Sequence, residues 1–154
     1  MFIGRARELD FLQERYDSER AELVVLYGRR RIGKTELLQQ FARDKAAVFY
    51  ACTECTDQEQ LARFSKRILQ TGPPAARFLT SFSDWETALR SIQDVPSEGK
   101  KLLIIDEFPY MCASRPELPS ILQNLWDHEL SRANVMLILC GSAMSFIENE
   151  LLAE

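Results

Sequence analysis

No apolar run in this sequence approaches the roughly 18–20 residues that a helix needs to cross a bilayer; residues 135–140 form one of the longest. The opening Met1-Phe2-Ile3-Gly4-Arg5 lacks a basic segment followed by a long apolar stretch, so no secretory signal is read. A cytoplasmic location without membrane contact is the resulting expectation. A basic excess is lacking too. The net charge of −4 argues against a broad nucleic-acid-binding face. Histidine occurs once and cysteine four times, which fits a reducing compartment better than a disulfide framework. Cys52 and Cys55 form a C-x-x-C pair, yet Cys112, Cys140 and His128 each stand alone, without the paired spacing of a zinc site. All five are read as ordinary core, loop or helix residues. There is no internal repeat and no low-complexity tract.

What is present suits a single globular domain. The 154 residues are enough for one sizeable core, and 46% hydrophobic with 27% charged residues is ordinary for a soluble fold. Leu9, Leu12 and Tyr16 space as a helix over about residues 5–20. Residues 23–27 are a short apolar run stopped by Gly28, which reads as a buried strand. Ile32, Leu37, Leu38 and Phe41 line one face of a helix over about 33–43, and residues 47–51 make a second strand. Thr56-x-x-Glu59 is a capping box ahead of Leu61, Phe64, Ile68 and Leu69, and Gly72-Pro73-Pro74 breaks that helix. Ser83-x-x-Glu86 repeats the capping signature before Trp85, Leu89 and Ile92. Residues 102–105 form a third strand, unalternating and so covered on both faces. A loop with Pro109 and Pro116 is expected next, then a helix from Leu118 to about Leu130. Residues 135–140 are a fourth strand, and Phe146, Ile147, Leu151 and Leu152 space as a last helix. Strands alternating with helices predict an α/β fold in three layers, with a mostly parallel sheet.

Gly28-Arg29-Arg30-Arg31-Ile32-Gly33-Lys34-Thr35 matches G-x-x-x-x-G-K-[ST], the phosphate-binding loop. Its glycines let successive backbone N–H groups converge on a β-phosphate, and the loop runs into a helix N-terminus that favours an anion. Lys34 is expected to place charge between the β- and γ-phosphates. The Thr35 hydroxyl completes the coordination of Mg²⁺, with Glu36 next in the segment that meets the nucleotide. The arginines 29–31 raise the local potential, while their side chains face either solvent or a partner.

Leu102-Leu103-Ile104-Ile105-Asp106-Glu107 supplies the second half of such a site. An aspartate ending a buried strand reaches the Mg²⁺ shell through a water, and the adjacent glutamate polarises the attacking water. Ser142 follows the fourth strand. If that strand lies between the other two motif strands, its hydroxyl faces the γ-phosphate. Arg115 and Arg132 are candidates for a transition-state arginine.

Phe2-Ile3-Gly4-Arg5-Ala6-Arg7-Glu8-Leu9, the phosphate loop, Asp106-Glu107-Phe108-Pro109-Tyr110 and Leu139-Cys140-Gly141-Ser142 together resemble the archaeal-type ATPase group, a prokaryotic branch close to the STAND and AAA+ ATPases. The resemblance spans nearly the whole chain. It implies strand order 5-1-4-3-2, adenine near Ile3, Gly4 and Arg5, Asp106 and Glu107 as the Walker B pair, and Ser142 as a sensor. It further implies that residues 1–154 are one ATPase core, truncated before a fifth strand and lid, with DNA contact only through further C-terminal domains. ATP or ADP and Mg²⁺ are the expected ligands, and slow ATP hydrolysis is the expected activity. A nucleotide switch with negligible hydrolysis is the alternative. A small-molecule kinase fits less well, because the adjacent Asp-Glu pair favours water as nucleophile. A GTPase lacks its N-K-x-D motif, since Asn124-Leu125-Trp126-Asp127 falls in a predicted helix. With the outer side of strand 23–27 left open, self-association through that sheet edge is expected.

Overall fold

Residues 5–27 and 33–141 are described by a computed structural model of the chain. The elements run α1 (Arg5–Asp17), β1 (Glu22–Tyr27), α2 (Lys34–Ala42), β2 (Ala47–Ala51), α3 (Asp57–Leu69), α4 (Trp85–Arg90), β3 (Lys101–Asp106), α5 (Phe108–Ser114), α6 (Leu118–His128) and β4 (Val135–Gly141). Short 3-10 turns lie at Pro74–Arg77, Ser91–Asp94 and Leu130–Arg132. All strand pairs are parallel, in the order β1-β4-β3-β2. The expected order holds for these four strands. A fifth strand outside β1, and the last helix read from the sequence, lie outside the described residues.

Strand side chains point alternately to opposite faces, and both faces here are apolar. Leu103, Ile105, Val135, Leu137 and Leu139 face one way with Val48 and Tyr50, beneath Phe64 and Ile68 of α3, Trp85 and Leu89 of α4, Met111 of α5 and Leu122 of α6. Leu102, Ile104, Met136, Ile138 and Cys140 face the other way, beneath Leu12 of α1 and Leu38 and Phe41 of α2. The fold is therefore α/β in three layers. Continuous burial explains why β3 and β4 carry no polar alternation.

Caps and turns set the helix ends. Thr56 accepts from the Glu59 N–H at 3.1 Å, as the capping box requires. The second expected box is corrected: Asp84, not Ser83, caps α4, accepting from the Thr87 N–H at 2.7 Å. An ionised carboxylate is the stronger acceptor for a helix N–H, and it displaces the hydroxyl one residue earlier. The loop expected around Pro109 is corrected too. Residues 108–114 are helical, with the proline in the first turn, where no N–H is needed. α1 ends at Asp17, short of residue 20, where buried Lys100 collects carbonyls from the last helical turn and from the residues beyond. Its ammonium donates to Arg15 O (3.2 Å), Ser18 O (2.9 Å) and Arg20 O (2.7 Å).

The two sheet edges differ. Leu102 N donates to Ala46 O and Cys52 N to Asp106 O, so the even residues of β2 bond to β3 and the odd ones face outward. On that outer side, the Phe49 carbonyl accepts from both Nε and Nη2 of Arg67, at 3.0 and 2.7 Å. The arginine caps the middle of the β2 edge. No described strand covers the outer side of β1.

Candidate functional site

Parallel register brings Ala51, Asp106, Cys140 and Leu26 into one row at the carboxyl ends of the strands. Ligands of open α/β sheets collect at that end. Asp106 lies on the same sheet face as Ile104 and Leu102, the face that α2 covers. There the Thr35 hydroxyl, one residue into α2, donates to Asp106 Oδ2 at 2.9 Å, across 71 positions of sequence. The two motifs read separately from the sequence thus meet in one hydrogen bond.

Asp106 is 5% exposed, and its second oxygen is also engaged. Oδ1 accepts from the Glu107 backbone N–H at 2.9 Å and from the Cys140 thiol at 3.4 Å. The Asp106 carbonyl accepts from Cys52 N at 2.9 Å, which pins the end of β3 to β2. Burial, then the Asp106 charge, push the Cys140 thiol well above its ordinary value. Lys34 opposes that rise and Glu107 adds to it.

Two backbone conformations shape the site. Gly33, the N-cap of α2, has φ 77 and ψ 14. A Cβ there would meet nothing within 4 Å among the described residues, and the glycine serves the left-handed conformation. Glu107 has φ 55 and ψ 42 and is the described non-glycine residue with positive φ. An L-residue held left-handed stores strain, and such strain clusters at functional sites.

Of the residues singled out in the sequence, Lys34 and Thr35 open α2, Glu36 is exposed in its first turn, and Asp106 and Glu107 stand at the β3–α5 junction. Gly28, Arg29, Arg30, Arg31, Ile32, Ser142, Ile3 and Gly4 lie outside the described residues, and Arg5 is described only as the start of α1. Arg115 is held by Asp57 at 2.8 Å and by Glu117 at 3.5 Å. Asp57 also accepts from the Trp85 indole at 2.8 Å. Arg132 sits in the turn that leads into β4, at the opposite end of the sheet from Asp106. His128 Nδ1 lies 2.9 Å from the Asn124 carbonyl on the exposed side of α6. Cys52 and Cys112 are buried and Cys55 is half-buried. Burial raises the Cys52 thiol well above its ordinary value, and Cys112 adds to the effect. The residue that sequence reasoning missed at the site is Cys140. Only the strand register could have revealed it.

A hydroxyl and a carboxylate 2.9 Å apart are hard oxygen donors, the set that Mg²⁺ takes beside phosphate. Thr35 and Asp106 therefore suit that ion.

A family model described as an ATPase domain predominantly from Archaea matches residues 2–154. An uncharacterized protein of Methanocaldococcus jannaschii is 31% identical over 153 residues, covering 99% of this chain and 32% of that protein. An uncharacterized ATP-binding protein of the same organism is 47% identical over 45 residues, 29% of this chain and 76% of that one. A Walker-type ATPase of Pyrococcus abyssi superposes with a TM-score of 0.68 at 20% identity, over 99% of this chain and 48% of that one; at that identity the likeness is one of fold. The chain thus spans about a third of the first of these relatives and about half of the solved structure.

Proposed function

The chain belongs to the ATPase domain family found predominantly in Archaea, and from that premise we propose that it binds ATP with Mg²⁺ and hydrolyses it slowly, as the ATPase core of an AAA+/STAND-like protein. The observation that carries the proposal is the hydrogen bond from Thr35 to Asp106, which joins the loop helix to the acidic strand end. Gly28–Thr35 wraps the phosphates with backbone N–H groups, and Lys34 aims its charge between the β- and γ-phosphates. Thr35 and Asp106 hold the metal, and Mg²⁺ when bound supplies positive charge against the phosphate oxygens. Glu107 orients and deprotonates the attacking water, and Ser142 hydrogen-bonds it. Ile3, Gly4 and Arg5 line the adenine, and Glu36 borders the phosphates. ADP is the product of that hydrolysis.

Calorimetric titration with ATP and Mg²⁺ tests the loop. Lys34→Ala should abolish tight binding, since charge-assisted contacts are worth about 1.5–3 kcal/mol each. Unchanged affinity would remove this loop from the site. Glu107→Gln should keep ATP affinity and lower hydrolysis by about 10²-fold, the effect of losing a positioned base. Equal turnover in both proteins would show that Glu107 is not the base. Absence of turnover in both would favour a switch that binds without hydrolysing.

A further inference from the structure

The geometry points to Cys140 as a positioning residue for the metal-side carboxylate, its thiol holding Asp106 Oδ1 so that Oδ2 faces Thr35. The inference rests on the reading of Thr35 and Asp106 as the Mg²⁺ pair. Cys140 is fully buried on β4, one register step beyond the Ile105–Leu139 pair, so its side chain stands beside that of Asp106 on the same sheet face. The thiol has one proton and two acceptors in reach, Asp106 Oδ1 at 3.4 Å and the Ile105 carbonyl at 3.6 Å. The carboxylate is both nearer and charged, and it accepts the hydrogen bond.

Two different oxygens of one carboxylate are thereby assigned to different donors. Oδ1 faces the Glu107 N–H and the Cys140 thiol, and Oδ2 faces the Thr35 hydroxyl. A carboxylate held on one oxygen cannot swing about its last bond, so the other oxygen stays aimed at the α2 terminus. Outer partners of metal ligands act in this way. A thiol is a weak donor, which sets the expected effect at the low end of the range such partners show.

Three variants separate donation from packing. Cys140→Ala leaves a void, Cys140→Val fills it, and Cys140→Ser keeps a donor. Binding of a fluorescent ADP analogue is measured as Mg²⁺ is titrated, and again in excess chelator. Ala and Val should both raise the Mg²⁺ concentration for half-maximal effect, by about tenfold. Affinity in chelator should not change, and Ser should restore the Mg²⁺ response. In parallel, the infrared S–H stretching band of Cys140 is isolated as the difference between the unaltered protein and Cys140→Val. It should lie at the low wavenumber of a thiol bonded to a carboxylate, and should shift upward in Asp106→Ala. An unaltered Mg²⁺ response in Val, a Ser variant that behaves like Val, or a band indifferent to Asp106→Ala would each overturn the inference. If the unaltered protein binds the analogue with no Mg²⁺ dependence, the metal reading itself fails, and the inference with it. A normal response in the unaltered protein and in Val removes the inference alone.

Discussion

Replacing Glu107 by glycine should give a more stable protein than replacing it by alanine. Both variants lose the same carboxylate and the same contacts beyond Cβ, so those losses cancel in the comparison. What differs is the backbone. At φ 55 and ψ 42 an L-residue sets Cβ against the following carbonyl oxygen, at a cost of about 1–2 kcal/mol that glycine escapes. Glycine in turn gives up about 0.4–1 kcal/mol through the greater freedom of its unfolded chain. The difference leaves glycine ahead by roughly 0.5–1 kcal/mol. At a right-handed position the order would reverse, with alanine ahead by about 0.4–1 kcal/mol. Urea denaturation of the two variants, at matched pH and without nucleotide, resolves a gap of that size, and melting should show a difference of about 2 °C. Alanine equal to or above glycine would refute the strained conformation. Neither variant should hydrolyse ATP, so the more stable of the two would still be inactive. In the natural sequence the strain is then the cost of a carboxylate at this turn.

Asp84→Ala should destabilise by about 1 kcal/mol near neutral pH, the usual value of an N-cap. The Thr87 N–H holds the Asp84 carboxyl below its ordinary value, so its contribution is present above that ordinary value and lost as pH falls through the folded one. Denaturation curves of the two proteins should therefore converge in acid; a gap that persists there would show that the cap does not depend on charge. Gly33→Ala should cost roughly 0.5–1 kcal/mol and weaken nucleotide binding, although an added methyl would touch nothing among the described residues; an alanine variant with native stability and affinity would contradict the left-handed cap. Arg67→Ala should promote association between copies of the chain by uncovering Phe49 O on the β2 edge. Light scattering coupled to size exclusion decides this, and a monomer in both proteins would count against it.

Much of this architecture is legible in sequence because the signals are local. Buried parallel strands read as short apolar runs, and β2 falls on residues 47–51 as expected. The Thr56 cap works because its donor and acceptor lie three residues apart in the chain. Where two local signals compete, the sequence does not say which prevails. Ser83 and Asp84 are both able caps, and the charge of the second decides the matter. Pro109 reads as a helix breaker until its position in the turn is known. Other features are not local at all. The Cys140–Asp106 contact depends on how β3 and β4 are staggered, and neither strand alone carries that information. The left-handed backbone at Glu107 is hidden because glutamate is an unusual residue for it. Lys100, whose neighbours in sequence give no sign of its burial, bonds to carbonyls contributed eighty or more positions earlier.

Lys100 also bears on how residues near the start of the chain could reach a nucleotide. It lies just before β3, at the amino end of the sheet, and clamps the carboxyl end of α1 there. Tyr16 reinforces the clamp, its hydroxyl donating to the Lys100 carbonyl at 3.0 Å. A cation at the end of a helix is also favoured by the helix dipole. From that anchor α1 runs back across the sheet face through Leu12 and Leu9, which pack with Val24 and Ile138. Its 13 residues span about 20 Å at 1.5 Å each. The 6 residues of β3 span about 20 Å at roughly 3.3 Å each. Helix and strand are thus of equal length and run in opposite directions. A helix of that length laid along the strand from the Lys100 anchor reaches the level of Asp106. The proposed reading, with adenine near Ile3, Gly4 and Arg5 and phosphates at Lys34 and Thr35, asks for a helix of about that reach. The buried lysine at the far end of the sheet fixes the point from which that reach is counted.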